Sequence, residues 1–288
     1  MRIWFWLKNS RLFSLPMTIL SWLVIFVYSI NGNITNGIAA LFGIACIHLA
    51  TNLFDDYVDY KTLTDDCQQC KCAYIKEGKA TINDVLRVVI IYFAIGSVIG
   101  LFLFLRCGFP VIWLALIGAF IALSYAKLSE RGLSEVAVGT AFGPLFFEGV
   151  HFVMKGYFSF SVFILSIAVV MFTIGLMYTH TVLDYEGDKA SGKKTLVCRL
   201  ASKEQAINGV YVVYGLGFLF TAIFAYLTKN YLMFSTFILI PLIIDLHKNL
   251  KTFECGGEVK EFYFRLLKAR NLMVYYSLIT TVCLIIKS

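Results

Sequence analysis

Residues 51–59, Thr-Asn-Leu-Phe-Asp-Asp-Tyr-Val-Asp, put a carboxamide and three carboxylates at the end of a long apolar run. In a helix, at about 100° per residue, Asn52, Asp55, Asp56 and Asp59 share roughly a third of the circumference. Oxygen-bearing side chains then converge on one volume at a helix C-terminus, where the macrodipole opposes negative charge. Such an arrangement is unfavourable unless a cation sits among the carboxylates. A second pair, Asp184 and Asp188, closes the charge-free run 156–183 and again stands at i and i+4. Both stretches read D-x-x-x-D; Lys193 and Lys194 follow the second closely, Lys79 follows the first, and Lys127, at the inner end of the fourth expected span, joins the expected substrate-binding set. Hard oxygen donors without His or Cys select Mg²⁺, which commonly takes one or two carboxylates and completes its shell with water and substrate phosphate. The expected metal ligands are Asp55, Asp56, Asp59, Asp184 and Asp188, with Asp56, Asp59, Asp184 and Asp188 as the catalytic set. Lys79, Lys193 and Lys194 add charge-assisted contacts to a diphosphate.

The elements that must position these residues are set by the solvent. Of 288 residues 59% are hydrophobic and only 15% charged, far from the mix of soluble domains. No Asp, Glu, Lys or Arg occurs between Leu12 and Phe54, and further charge-free runs cover 88–105, 107–126, 205–228, 230–244 and 271–286. Most approach the roughly 20 residues a membrane-spanning helix needs. The Asn/Gly-rich stretch at 29–37 splits the first run. The chain is expected to be all-α, one integral-membrane domain over 1–288, with nine spans near 12–30, 34–59, 84–105, 109–127, 134–154, 158–184, 204–227, 230–247 and 267–286. Spans 2 and 6 are four helices apart and end in similar motifs, which suggests two four-helix halves plus a ninth helix.

Basic residues favour the cytoplasmic side. With the N-terminus inside, all Lys and Arg except Arg106, Lys155, Lys229 and Lys287 fall on that face, and of the acids only Glu148 lies near the other. The N-terminal span lacks a small-residue cleavage site and is read as retained. The expected setting is therefore a bacterial inner membrane with the site on its cytoplasmic side. The net charge of +7 suits anionic headgroups, and no interleaving of aromatic and basic residues points to nucleic acid. Cys67, Cys70 and Cys72 lack a second pair for a zinc site and are read as loop thiols. A diphosphate handled within a membrane implies a lipid tail, hence a polyprenyl diphosphate.

At these motifs the chain resembles the UbiA superfamily of intramembrane prenyltransferases, over essentially its whole length. "NLFDDYVDY" and "DYEGDKASGKKTL", with "GLSE" at 132–135 and "FGPL" at 142–145, look most like the branch that prenylates 1,4-dihydroxy-2-naphthoate in menaquinone synthesis. The resemblance implies Mg²⁺-dependent transfer of a polyprenyl group from its diphosphate to an aromatic acceptor. Asp65 stands at the place of a later family aspartate, and Asn52 joins the substrate-binding set. Asp55 replaces a usual Asn, Leu183 a usual Arg, and His180 and Thr181 an Asn pair. Acceptors such as 4-hydroxybenzoate, homogentisate or a haem stay open, as does a transporter reading of the acids. Tyr125, just before Lys127, either faces the substrate or anchors the interface. His48 is expected to hydrogen-bond within the bundle, Gly96/Gly100 and Gly139/Gly143 to pack closely, and residues 248–270 to lie on the inner leaflet.

Overall fold

In lipid every backbone N–H and C=O must be satisfied within its own segment, so the apolar runs become helices. The computed structural model describes residues 3–62, 72–190, 194–253 and 259–287, and among these there is no strand. The chain begins with α1 (Ile3–Asn9), a short 3₁₀ turn (Leu12–Ser14) and α2 (Leu15–Tyr28). It continues through α3 (Ile34–Thr62), α4 (Ala73–Lys76), α5 (Ile82–Cys107) and α6 (Pro110–Glu130). α7 (Ser134–Thr140) runs through a π turn into α8 (Phe146–Lys155), followed by α9 (Phe160–Leu183) and α10 (Tyr185–Ala190). The last elements are α11 (Lys203–Thr228), a 3₁₀ stretch (Tyr231–Leu239) leading into α12 (Ile240–Lys251), and α13 (Val259–Lys287).

Seven helices among the described residues are long and apolar enough to cross a membrane, or up to eight if the bent N-terminal pair counts as one span. The expected count of nine is met only in part. The first expected span is preceded by a 56° bend between Ile3–Asn9 and Leu12–Tyr28, and the apolar part of the fourth, Pro110–Tyr125, is shorter than the others. Of the expected inner-leaflet segment 248–270, the described helical parts are the end of α12 and the first turns of α13, and 254–258 lie outside the described residues. Arg265 is buried there, its Nε donating to the Asn249 carbonyl at 2.8 Å.

Contacts divide the chain into two compact units. The first comprises Met1–Ile19, Asn31–Lys127 and Val153–Gly156. Its centre is the packing of α3 on α5, where a Cβ on Gly96 would lie 2.7 Å from Ile47 Cδ1. Gly100 meets nothing within 4 Å, so of that expected small-residue pair only Gly96 is a contact. A capping box at Thr81 and Asp84 starts α5, satisfying N-terminal N–H groups that the helix leaves orphaned. Below the end of α3, Trp6, Leu53, Cys72, Tyr74, Ile75, Val85 and Val88 form one apolar cluster.

The second unit comprises Leu20–Ile30, Leu128–Phe152 and Tyr157–Ser288. Its division from the first departs from the expected halves because the end of α2 belongs here: Tyr28 packs edge-on against Phe224, and Ser29 Oγ hydrogen-bonds His151 Nδ1 at 2.8 Å. α9 meets α11 where Tyr214 covers Gly175 and Tyr178 covers Gly209. Gly139 and Gly143 both press on α9, against Ile174 and Val170, as the small-residue spacing predicts. Glu148 caps this helix: its carboxylate accepts the Ser159 N–H at 3.1 Å.

Candidate functional site

The first acidic stretch occupies the C-terminal turns of α3, as expected, but the side chains do not form an open ring of oxygens. Asp56 is buried at 2% exposure. Its Oδ1 accepts from Arg11 Nη2 at 2.6 Å and its Oδ2 from the Tyr74 hydroxyl at 3.2 Å. The same guanidinium nitrogen lies 3.3 Å from Asp55 Oδ2. Asn52 turns its Nδ2 to the Ser10 carbonyl at 3.0 Å and to Ser14 Oγ at 3.1 Å. One turn earlier His48 lies between Thr18 Oγ1 at 2.7 Å and Ser14 Oγ at 3.0 Å, the hydrogen-bonding role expected of it. Asp59 is half-buried on the same helix.

A cation therefore does sit among the first carboxylates, and it is Arg11, which sequence reasoning missed. Arg11 lies at the bend before Leu12 with φ 59° and ψ 49°, a left-handed conformation that costs an L-residue about 1–2 kcal/mol. Its ion pairs with Asp55 and Asp56 accompany that conformation. Tyr74 was missed as well. Burial, and then the negative charge of Asp56, hold its phenol far above the ordinary range, so it stays a proton donor. Cys72 is not an exposed loop thiol: it is buried, and its thiol points to the Asp56 carbonyl at 3.4 Å.

Of the other residues expected here, Lys79 is exposed and paired with Glu77. Tyr125 is half-buried within electrostatic reach of Arg11, whereas Lys127 is exposed. Asp65, Cys67, Cys70 and, near the second motif, Lys193 lie outside the described residues.

The second stretch belongs to the other unit. α9 ends at Leu183, yet the Asp188 N–H still donates to the Asp184 carbonyl at 2.8 Å, so the two acids keep helical i, i+4 spacing across the boundary. Asp188 is buried and Asp184 half-exposed. His180 Nδ1 stands 3.1 Å from Asp184 Oδ2, one turn back, while Leu183 is packed inside and Thr181 bonds its own helix backbone. Lys189 Nζ donates to the Tyr185 hydroxyl at 3.0 Å. Lys194 is exposed, and its carbonyl lies against Gly132: a Cβ there would fall 1.6 Å from that oxygen. Gly132, at φ 69°, thus admits a backbone approach that only glycine allows. Arg199 fastens the same turn through the Arg131 carbonyl at 2.6 Å. The "GLSE" stretch and the second acidic motif are therefore neighbours within this unit.

Among the described residues no three His, Cys, Asp or Glu side chains are grouped as a metal site. The donor set itself is carboxylate and carboxamide oxygen, the chemistry Mg²⁺ prefers. Both acidic stretches thus offer hard anionic ligands at the ends of apolar helices, one of them already sharing a guanidinium.

The sequence profile of the UbiA prenyltransferase family matches residues 14–265. A 1,4-dihydroxy-2-naphthoate octaprenyltransferase of Bacillus subtilis (strain 168) is 27% identical over 177 residues, 58% of this chain and 55% of that protein, so the match spans about half the relative's length. Among solved structures, one of digeranylgeranylglyceryl phosphate synthase superposes with TM-score 0.66 at 17% identity, covering 97% of both chains. A UbiA homolog from Archaeoglobus fulgidus bound to GPP and Mg²⁺ superposes with TM-score 0.63 at 12% identity, covering 97% of this chain and 99% of that one.

Proposed function

Because the chain belongs to the UbiA prenyltransferase family, we propose that it transfers a polyprenyl group from a polyprenyl diphosphate to an aromatic acceptor, 1,4-dihydroxy-2-naphthoate in the reading preferred here. The observation that carries this reading is the pair of carboxylate motifs, Asp55 to Asp59 and Asp184 to Asp188, each ending an apolar helix and each containing one buried acid. Asp55, Asp59, Asp184 and Asp188 are the proposed ligands of Mg²⁺, with Asp65 as a further candidate. When bound, the ion supplies positive charge against the negative charge that develops on the departing diphosphate.

The chain's own groups do the rest. Arg11, Lys79, Lys193 and Lys194 offer donors to phosphate oxygens, and Asn52 braces the N-terminal segment at Ser10 and Ser14. Hydrogen-bond donors and cations fixed before the reaction stabilise the leaving group without reorganising. The allylic C–O bond then breaks, the electron-rich ring forms the new C–C bond, and its displaced proton leaves. Apolar helices keep water from the carbocation, and Tyr125 offers it an aromatic face. The acidic ends are placed on the cytoplasmic side of a bacterial inner membrane on the ground of Lys and Arg distribution.

The naphthoate preference rests on the Bacillus relative's name and on the two motifs; Leu183, His180 and Thr181 differ from that branch. Purified protein given one polyprenyl diphosphate, Mg²⁺ and a panel of acceptors should prenylate the naphthoate best, read by mass spectrometry. Preference for 4-hydroxybenzoate or homogentisate would reject the acceptor and keep the family chemistry.

A further inference from the structure

Asp56 combines two properties that a ligand to a divalent cation does not need. Its side chain is only 3% exposed, and each of its oxygens already has a partner from a distant part of the first unit. A Mg²⁺ ion approaches its ligand oxygens to about 2.0–2.1 Å in near-octahedral geometry, and a carboxylate that is only 3% exposed, with a partner on each oxygen, offers such an ion little room. A buried carboxylate is tolerated when it is paired and fully hydrogen-bonded. Arg11 and Tyr74 meet both conditions.

We propose that Asp56 is the anchor of a clamp and not a ligand: Arg11 and Tyr74 grip its two oxygens and so fix the N-terminal segment and the α4 turn against the end of α3. The partners stand 45 residues before Asp56 and 18 after it, so one side chain ties three segments together. Further contacts follow the same seam. Asn52 holds the Ser10 carbonyl and Ser14, the Cys72 thiol meets the Asp56 carbonyl, and the rings of Phe5, Trp6 and Tyr74 pack edge-on with centroids 5.1–6.5 Å apart. Arg11 also reaches Asp55 at 3.3 Å. The clamp thereby orients the neighbouring carboxylate, which makes Arg11 and Asp56 positioning residues for Asp55, one turn before Asp59. The ligand role of these last two rests on the function proposed above; the clamp itself does not.

The test uses the full chain in detergent, without substrate, as Asp56→Asn, Arg11→Gln, the double variant and Asp59→Asn. Thermal unfolding in chelator reads the clamp. Asp56→Asn and Arg11→Gln should each lower the midpoint by on the order of 5 °C or more, since the first takes the charged acceptor from both Arg11 and Tyr74 and the second leaves the Asp56 carboxylate buried without its counter-charge. The double variant, with neither charge, should recover at least about half of that loss. Mn²⁺ binding, followed by the electron paramagnetic resonance of the free ion, reads ligation. Asp56→Asn should weaken it by about tenfold, as for a residue standing behind a ligand, and Asp59→Asn by at least about ten times more. Unchanged midpoints in Asp56→Asn and Arg11→Gln would overturn the clamp. Loss of Mn²⁺ binding in Asp56→Asn equal to that in Asp59→Asn, at an unchanged midpoint, would make Asp56 a ligand. Wild type that binds no Mn²⁺ would reject the metal site proposed above, and the unfolding result would still decide the clamp.

Discussion

The two D-x-x-x-D stretches share a spacing but are supported differently. At the end of α3, Asp56 is held by Arg11 and Tyr74, groups brought in by tertiary folding. At the end of α9, Asp184 and Asp188 are held within their own turns, by the Asp188 N–H on the Asp184 carbonyl and by His180 one turn away. Repulsion between neighbouring carboxylates is relieved in the first case by a nearby guanidinium, and is smaller in the second, where the acids are fewer and Asp184 is half-exposed. The first stretch thus depends on the N-terminus staying docked.

That contrast is open to attack by substitution. The largest effect belongs to the carboxylates themselves: Asp59→Ala and Asp184→Ala should each reduce product formation by about 100-fold or more while the protein remains folded. Equal activity in either variant would remove that stretch from the chemistry. Arg11→Met comes next, because it leaves a buried carboxylate without its counter-charge. A loss of about 3–5 kcal/mol of stability is expected, read by thermal unfolding, and a melting curve like wild type would show that the first stretch needs no distant support. His180→Ala should do least. Its contact with Asp184 is between substantially exposed groups, and such pairs contribute about 0–1 kcal/mol. Less than roughly fivefold change in turnover is the corresponding outcome, and a collapse of activity would mark His180 as a substrate contact.

The same contrast explains what could be read in advance. The placement of Asp55, Asp56, Asp59, Asp184 and Asp188 at the ends of apolar helices was legible because helical spacing and the end of an apolar run are local properties. So were the roles of His48, Gly139 and Gly143, which follow from one helix face. Arg11 was not, since it pairs with side chains 44 and 45 residues away and the only local hint is a basic residue before a long uncharged run. Tyr74 went unread and Cys72 was read only as a loop thiol, because the burial that defines them comes from Trp6, Leu53 and Val85. Glu148 resisted assignment for a related reason: its partner is the Ser159 backbone N–H, across the turn between α8 and α9. Against nine expected spans stand seven, or up to eight, candidate membrane helices among the described residues, and the difference falls at the 56° bend and at α6.

Release of inorganic diphosphate from a polyprenyl diphosphate in the presence of an aromatic acceptor tests the central claim most directly. With wild-type protein it should match prenylated product mole for mole, stop in chelator and return when Mg²⁺ is restored. Undiminished release and product formation in chelator, with no divalent ion present, would contradict the account.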